Sequence, residues 1–265
     1  MQAEFNQVLA QQRSLWNRSM VHMLLLLAIV GGCWYYVGLF NAERLSEGIP
    51  SLAQMVGEMF PPNFSQAKTW IKPLFDTLAM SVAGTAIAVL LSIPLGVLAA
   101  RNTSPHPITY HAARAVLNGL RSIPELIMGI VFVAAVGFGA LPGVLALGLH
   151  SIGMIGKFFA ESIEHADQAP VEAARAAGCG PLQVIFHGIV PQVLPQMADT
   201  VIYRWEYNFR ASTVMGMVGA GGIGFELMGS LRIMQYQDVS AILIVILAMV
   251  TLVDALSSYL RRKFK

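Results

Sequence analysis

The sequence predicts an all-α fold, a polytopic membrane helical bundle with about six transmembrane helices. Composition is the first reason: 55% of the 265 residues are hydrophobic and only 12% are charged, whereas about a quarter of the residues in a soluble domain carry charge. The length of the apolar runs is the second reason, since a helix needs about 20 apolar residues to cross a bilayer core. The net charge is only +2, and no basic block is present. We therefore expect no nucleic-acid partner.

Six candidate spans follow one another along the chain. They cover residues 20–40, 76–100, 115–138, 143–163, 190–211 and 238–260. The first ends in Trp34, Tyr35 and Tyr36, which is typical of a membrane interface. We predict a cytoplasmic N-terminal segment at 1–19, a single transmembrane domain at 20–260 and a basic cytoplasmic tail at 261–265.

The basic residues predict the orientation, because cytoplasmic loops of membrane proteins are enriched in Lys and Arg. With both termini in the cytoplasm, eleven basic residues fall at or near the inner side: Arg13, Arg18, Arg101, Arg114, Arg121, Lys157, Arg175, Arg261, Arg262, Lys263 and Lys265. Four fall outside: Arg44, Lys68, Lys72 and Arg232. The outer segment 41–75 is expected to hold a short helix that lies along the membrane surface.

The two cysteines predict neither a disulfide nor a metal site. Cys33 lies in the first apolar run and Cys179 in a polar segment, so the two are expected at different levels of the membrane. No spacing of Cys, His, Asp or Glu matches a metal-ligand motif. We predict no metal and no catalytic residue in this chain.

Residues 164–188, which we name the coupling loop, are predicted to be cytoplasmic. Pro170 suits the first turn of a helix, and the run EAARAA that starts at Glu172 has high helix propensity. Gly178 is well placed to end that helix, and Pro181 to start a second short one. Composition alone fits an ordinary amphipathic loop equally well. The spacing favours two short helices that meet at a glycine corner, parallel to the membrane.

The coupling loop resembles the EAA loop of ABC importer permeases. The residues that carry the resemblance are Glu172, Ala173, Ala174, Gly178 and Pro191. Gly188 and Val190 depart from the usual pattern, which has Ile or Leu there. The resemblance implies a type I ABC importer permease-like fold, in which this loop docks into a groove on a cytoplasmic ATPase subunit and transmits its motion.

Further segments narrow the resemblance to the transmembrane permease subunit of the phosphonate/phosphite ABC importer family. They are YRWEYNFRASTVMGMVGAGGIGFEL at 203–227, FPPNFSQ at 60–66, GVLALGLHSIG at 143–153 and GIVPQVLPQ at 188–196. The resemblance implies import of phosphonate, phosphite or hypophosphite across the inner membrane. It also implies a homodimer of this subunit, two ABC ATPase subunits and a periplasmic or lipid-anchored substrate-binding protein.

This chain is not predicted to be an enzyme. It has no G-x-x-x-x-G-K-[ST] motif, the loop that cradles nucleotide phosphates in ATPases. ATP and Mg²⁺ are therefore expected on the partner ATPase, and no cofactor is expected on this chain. Two alternatives remain: an ABC permease for another small solute such as methionine, and a stand-alone secondary transporter or channel. The latter would have no use for the coupling loop, and repeated halves are not evident.

The fifth span carries ionisable residues, which are costly in hydrocarbon and usually face a partner or a watery path. At about 100° per residue, one side of this helix is predicted to be polar and the other apolar. The polar side holds Asp199, Tyr203, Glu206 and Arg210, extended by Thr200, Arg204 and Tyr207; the apolar side holds Val201, Ile202, Trp205 and Phe209. The polar side is a candidate translocation pathway whose guanidinium groups suit an oxyanion. Alternatively, Glu206 and Arg210 neutralise each other.

Four other polar residues in the spans allow less specific interpretations. His150 is a further candidate for the pathway, although a hydrogen-bonded core histidine is the simpler interpretation. Arg121 and Glu125 have helical spacing and predict a local ion pair. Asp254 fits either a pair with a neighbouring helix or an interfacial position.

The run GMVGAGGIGFELMGS at 216–230 is unsuited to a helix interior, because glycine is costly there. We predict an irregular or re-entrant segment at the outer side. Gly219, Gly221, Gly222 and Gly224 are then candidates for a periplasmic gate or a docking surface for the binding protein. A plain flexible loop is the alternative.

Overall fold

The structure is a computed structural model that describes residues 2–264, with side chains described for residues 12 and 16–263. Met1 and Lys265, the ends of the predicted N-terminal segment and basic tail, lie outside the described residues, as does the side chain of Arg13. All regular secondary structure in the described part is helical. The predicted all-α fold is therefore confirmed.

Eleven α-helices make up the described chain. They are α1 Gln2–Val37, α2 Ala42–Glu58, α3 Ile71–Ala99, α4 Pro107–Ser122, α5 Glu125–Val136, α6 Ala140–Glu164, α7 Gln168–Ala176, α8 Pro181–Val184, α9 Val190–Met215, α10 Ile223–Arg232 and α11 Tyr236–Phe264. Two π-helical turns, Ile185–Ile189 and Gly216–Ala220, precede and follow α9. Four helices are long and apolar enough to cross a membrane, or up to six if each of two bent pairs counts as one span.

The described residues up to Glu58 form one compact unit, and those from Met59 onward form another. In the first unit, α1 contains an apolar stretch at Trp16–Val37, and it begins well before residue 20, where the first span was predicted to start. Helix α2 is amphipathic: Leu45, Ile49, Leu52 and Val56 recur at helical spacing on its exposed surface. It lies within the segment predicted to hold a short surface helix.

In the second unit, α3 and α6 form the centre of the bundle. Small residues bring these helices and α4 close together. A Cβ atom on Gly96 of α3 would lie 2.8 Å from Cβ of Phe159. On Gly153 of α6 it would lie 2.7 Å from the Leu117 carbonyl oxygen of α4. Helix α6 is consequently the most completely buried span, with 67% of its apolar window inside the protein.

The predicted third span, 115–138, is not one helix. Helices α4 and α5 meet at an angle of 84° at Ile123–Pro124, which we name the Pro124 break. Proline restricts the preceding residue to extended backbone, and Ile123 has φ −90° and ψ 121°. The prediction of a continuous span was wrong because the apolar run continues across this signal.

The fifth span is longer than predicted at the end that follows the coupling loop. Helix α8, the first π-helical turn and α9 follow one another without a break from Pro181 to Met215. Pro191 directly follows the π-helical turn, a local adjustment of the kind that accommodates a proline inside a helix. The prediction of a separate second short helix is therefore wrong: the helix starts at Pro181 as predicted but continues into the fifth span.

The glycine-rich run after α9 is only partly irregular. Gly219, Gly221 and Gly222 have φ of +100°, +74° and +74°, a region that favours glycine. The chain bends by 57° here. From Ile223 onward it is helical again, so the prediction of an irregular segment over 216–230 was wrong for α10.

Candidate functional site

A buried chain of hydrogen bonds joins α3, α6 and α9. The Thr85 hydroxyl accepts from Nδ2 of Asn208 at 2.9 Å, and the Asn208 Oδ1 atom accepts from Oγ of Ser151 at 3.0 Å. Oγ of Ser151 in turn accepts from Nε of Arg204 at 2.9 Å. Burying a polar side chain costs free energy unless it forms hydrogen bonds. This series of hydrogen bonds therefore fixes the rotation of α9 against α3 and α6.

Arg204 is only 4% exposed, and its charge is not matched by an ion pair with any described carboxylate. Its guanidinium carbon lies 4.2 Å from the centroid of the Tyr207 ring, which is a cation–π contact. One terminal nitrogen, Nη2, is buried and has no hydrogen-bond partner among the described side chains and backbone. Arg204 thus supplies positive charge to the interior of the bundle.

Four charged side chains form a second chain between α9 and α11, which we name the charge chain. Glu206 is 8% exposed and accepts from Arg210 at 2.9 Å and from Arg261 at 3.0 Å. Arg210 also contacts Asp254 at 3.2 Å. The two positive and two negative groups neutralise one another, and every link is a charge-assisted hydrogen bond.

The contacts of the charge chain test several predictions that were made from the sequence. The spacing of Glu206 and Arg210 does correspond to a local pair, and Asp254 pairs with a neighbouring helix. Arg261, predicted to belong to a basic tail, contacts a membrane-buried carboxylate instead. It was missed because it lies 55 residues from its partner, and no local pattern joins the two.

The single polar side predicted for the fifth span is wrong. Arg204 turns toward α6 and Glu206 toward α11, so the polar groups of α9 are divided between two neighbours. Tyr203 is 50% exposed. Asp199 is half-buried and forms no ion pair with a described residue. Ile202 and Phe209, assigned to the apolar side, are buried.

Glu125 is a polar residue of the site whose role the sequence did not indicate. Instead of pairing with Arg121, it accepts a hydrogen bond from the Tyr207 hydroxyl at 2.7 Å and contacts Nε2 of His150 at 3.3 Å. The predicted local ion pair is wrong because the Pro124 break turns α5 away from α4. His150 is buried and hydrogen-bonded, as a core histidine should be.

A cavity of about 250 Å³ adjoins these groups. It is lined by Glu125, Leu126, Tyr207, Arg210, Ala211, Val214 and Met215. The side chain of Arg210 is 42% exposed despite its two carboxylate partners. One guanidinium, one phenol and one carboxylate therefore border a space that is otherwise apolar and large enough for a small tetrahedral oxyanion.

The coupling loop folds into α7, a glycine turn and the start of the long α8–α9 segment. Asp167 caps α7 by accepting from the Ala169 N–H at 3.0 Å. Gln192 on α9 accepts from the Asp167 N–H at 2.9 Å and so ties the two arms together. Gly178, with φ +80°, forms the turn. Of the motif residues, Glu172, Ala173, Gly178 and Pro191 are exposed, and Ala174 is half-buried.

Basic residues gather at the same end of the bundle as the coupling loop. Arg114 forms a bidentate contact with Glu164 at 2.9 and 3.0 Å, and the backbone N–H of Arg101 donates to the same carboxylate. Nε of Arg101 donates to the Tyr110 hydroxyl, and this hydrogen bond raises the pKa of Arg101 above its ordinary value. A cavity of about 240 Å³ lies between Asn102 and Arg175 of the loop.

The candidate gate glycines lie together at the turn between α9 and α10. Gly219, Gly222 and Gly224 are buried within this chain, and Gly221 is half-buried. Thr77 of α3 accepts from the Ile223 N–H at 2.9 Å and closes the turn. An apolar cavity of about 460 Å³ borders Gly219 and is flanked by Phe138, Phe225 and Arg232.

Comparison with known proteins identifies the class to which this arrangement belongs. Residues 92–265 match the family described as binding-protein-dependent transport system inner membrane component. The fold resembles a chain of the MetNI methionine ABC transporter with a TM-score of 0.66, covering 77% of this chain and 99% of that one. Sequence identity in that comparison is 21%, so the likeness concerns the fold alone. The chain belongs to this family of transport-system membrane components, and the predicted permease fold is confirmed.

Two curated relatives are more similar in sequence. The chain is 68% identical over 251 residues to the phosphite transport system permease protein PtxC of Stutzerimonas stutzeri, covering 94% of this chain and 91% of the relative. It is 40% identical over 245 residues to the putative phosphite transport system permease protein HtxC of the same species, covering 92% and 86%. The predicted relationship to phosphonate and phosphite permeases is confirmed.

Proposed function

We propose that this chain is the transmembrane permease subunit of an ATP-driven importer that moves phosphite, or a related phosphorus oxyanion such as phosphonate or hypophosphite, across the bacterial inner membrane. The observation that carries the proposal is the 68% identity to a phosphite permease over 94% of the chain. The likeness to the methionine transporter, at 21% identity, supports the fold but not that cargo.

The proposed assembly contains two copies of this chain, two cytoplasmic ABC ATPase subunits that hold ATP and Mg²⁺, and a periplasmic or lipid-anchored binding protein. The coupling loop supports an ATPase partner, since its motif residues Glu172, Ala173 and Gly178 are exposed together. A second copy is supported by Tyr203 and Arg210, polar side chains within the fifth span that this chain leaves about half exposed. Such groups are too costly to face lipid.

We also propose that both termini and the coupling loop are cytoplasmic. The gathering of Arg101, Arg114 and Arg175 at the end that carries the coupling loop supports this orientation, because basic residues favour the cytoplasmic side. The candidate gate glycines then lie toward the periplasm.

Within the membrane, the proposed pathway passes the cavity beside Arg210. A phosphorus oxyanion loses hydration there, and a guanidinium offsets part of that loss through its forked donors. Glu206 and Asp254 already occupy donors of Arg210, so an anion would be held weakly. Weak binding is what transport requires, because a site that holds its cargo does not release it.

Cargo is tested by uptake in proteoliposomes that contain the complex and its binding protein. We expect ATP-dependent accumulation of radiolabelled phosphite, reduced by unlabelled methylphosphonate or hypophosphite if these are also carried, and unaffected by methionine. Accumulation of methionine without phosphite uptake would support the alternative that this chain is an ABC permease for methionine. Uptake of phosphite by this chain alone, without ATPase and binding protein, would support a stand-alone transporter.

Gly178→Asp is expected to abolish most substrate-stimulated ATPase activity and transport while the subunit still inserts and assembles. A side chain at this φ costs about 1–2 kcal/mol. No atom of the residues that the structure describes lies within 4 Å of the Cβ position. The added carboxylate therefore projects away from the subunit, into the space proposed for the ATPase groove. ATPase activity and uptake measured on the same purified complexes check the result.

Gly180→Ala is the matched control. Gly180 has φ −68°, and its Cβ would meet only Oε1 of Gln183, at 3.7 Å. We expect normal coupling. Normal coupling in the Gly178→Asp complex as well would count against docking through this loop.

A further inference from the structure

His150 on α6 holds both sides of the Pro124 break. Its Nδ1 atom lies 3.0 Å from the carbonyl oxygen of Ile123, just before the proline. Its Nε2 atom lies 3.3 Å from Oε2 of Glu125, just after it. The imidazole is 9% exposed. One side chain thus joins the end of α4 to the start of α5 across an 84° bend.

This geometry determines how many titratable protons His150 and Glu125 hold together. A carbonyl oxygen only accepts, so Nδ1 of His150 must carry a hydrogen. If His150 were neutral and Glu125 ionised, a lone pair on Nε2 would face a negative oxygen, which is repulsive. The contact therefore requires one further proton, either on Nε2 or on the Glu125 carboxyl group. Removing that proton removes the attraction between the two residues.

Glu125 transmits the contact to α9. Its other oxygen, Oε1, accepts from the Tyr207 hydroxyl at 2.7 Å. Helix α9 continues without a break from the second arm of the coupling loop. The shared proton thus joins the Pro124 break to the helix that carries the coupling loop.

The charged and titratable groups around the pair come from three helices. On α9, besides Tyr207, Arg204 stacks on the Tyr207 ring and Arg210 lines the same cavity as Glu125. Helix α6 contributes His150 itself. Arg121, in the last turn of α4, forms no ion pair with a described carboxylate. The guanidinium groups repel an additional proton, so the shared proton is the first that this cluster loses as pH rises.

We propose that His150 and Glu125 are positioning residues that share one proton, and that this proton holds the Pro124 break against α9 in the form of the subunit that transports. The proposal rests on the proposed function and adds a pH dependence to it. As pH rises and the pair releases its proton, Glu125 and His150 separate and transport slows. The macroscopic titration belongs to the pair rather than to either residue.

Glu125→Gln tests the shared proton directly. Its amide nitrogen can donate to Nε2 of His150 while its oxygen still accepts from Tyr207, which reproduces the protonated pair without a titratable group. His150→Asn is the complementary change: its amide can keep the hydrogen bond to the Ile123 carbonyl but cannot reach Glu125. His111→Gln is the control, since His111 is an exposed histidine on α4 that contacts only Tyr110 among the described aromatic rings.

Phosphite uptake by the reconstituted complex is measured from acidic to alkaline pH for each variant, and each rate is expressed relative to that variant's own maximum. We expect wild-type and His111→Gln complexes to lose about tenfold in rate as pH rises, the effect of losing one hydrogen bond to a charged group. Glu125→Gln should lose this pH dependence, whatever its maximal rate. His150→Asn should be slow at every pH. Cargo ionisation and the ATPase affect all four alike, so an identical loss with rising pH in wild type and Glu125→Gln would overturn the proposal.

A second measurement is independent of transport. ¹⁵N NMR of histidine-labelled complex, with the His150 signal identified by its loss in His150→Asn, should report a protonated Nδ1 throughout and a change at Nε2 over the pH range in which uptake falls. A His150 signal that does not change over the range in which uptake falls would also overturn the proposal. If no phosphorus oxyanion is transported at all, the proposed function fails, and the titration of His150 still stands or falls by the NMR result.

Discussion

Gly224→Ala is expected to prevent stable folding of the bundle. A Cβ atom on Gly224 would overlap the carbonyl oxygen of Thr213 and lie 3.2 Å from Cα of Gly216. Both neighbours are backbone atoms, the first in the last turn of α9 and the second in the π-helical turn that follows, so no side chain can rotate away. Overpacking of this kind costs about 1–3 kcal/mol and sometimes more, and we expect the upper end or beyond. Thermal unfolding of the detergent-purified subunit and its yield in membranes measure the effect.

Gly229→Ala provides the comparison within the same helix. Gly229 is exposed, and nothing lies within 4 Å of its Cβ position. Alanine is favoured over glycine in a helix by about 1 kcal/mol, so this variant should be unchanged or slightly more stable. Equal stability of the two variants would mean that α10 does not pack on α9 as described.

Glu206→Gln is expected to have the second largest effect, through the charge chain. It leaves Arg261 without a counter-charge and Arg210 with Asp254 alone. Breaking a buried ion pair by neutralising one partner costs about 3–5 kcal/mol. We expect the lower part of that range, because Arg210 and Arg261 are partly exposed. Unfolding temperature and the amount of assembled complex measure the loss.

Two further variants separate stability from transport. Glu206→Gln combined with Arg261→Gln removes the uncompensated charge and should recover most of the lost stability. Arg210→Gln leaves Glu206 paired with Arg261, so it should assemble normally and yet import phosphite slowly, with ligand capture by the binding protein unchanged. Wild-type uptake by Arg210→Gln at matched amounts of complex would remove Arg210 from the pathway.

Local patterns in the sequence predicted a large part of this molecule. Apolar run length located the spans, and the i, i+4 spacing of Glu206 and Arg210 corresponds to a real contact. The glycine turn at Gly178 followed from the conformational freedom of one residue. Each of these features depends on neighbours in the chain, and that is why a single sequence reveals them.

Contacts between distant helices could not be predicted in the same way. Arg204 points to Ser151 and Glu206 to Arg261 because α6 and α11 lie on different sides of α9, and periodicity along α9 does not indicate which neighbour lies where. The Pro124 break did have a local signal, a proline followed by an acidic residue that suits a helix start. That signal was outweighed by the length of the surrounding apolar run.

The unbroken helix from Pro181 to Met215 acts mechanically as a lever. Its buried hydrogen bonds at Arg204 and Asn208 provide a pivot whose centre lies about 38 Å from the coupling-loop end and about 14 Å from the opposite end, at about 1.5 Å per residue. A sideways displacement at Pro181 would therefore appear near Gly216 at roughly a third of its size and in the opposite direction. Closing one face of the subunit would then open the other, so that alternation of access follows from the placement of one pivot.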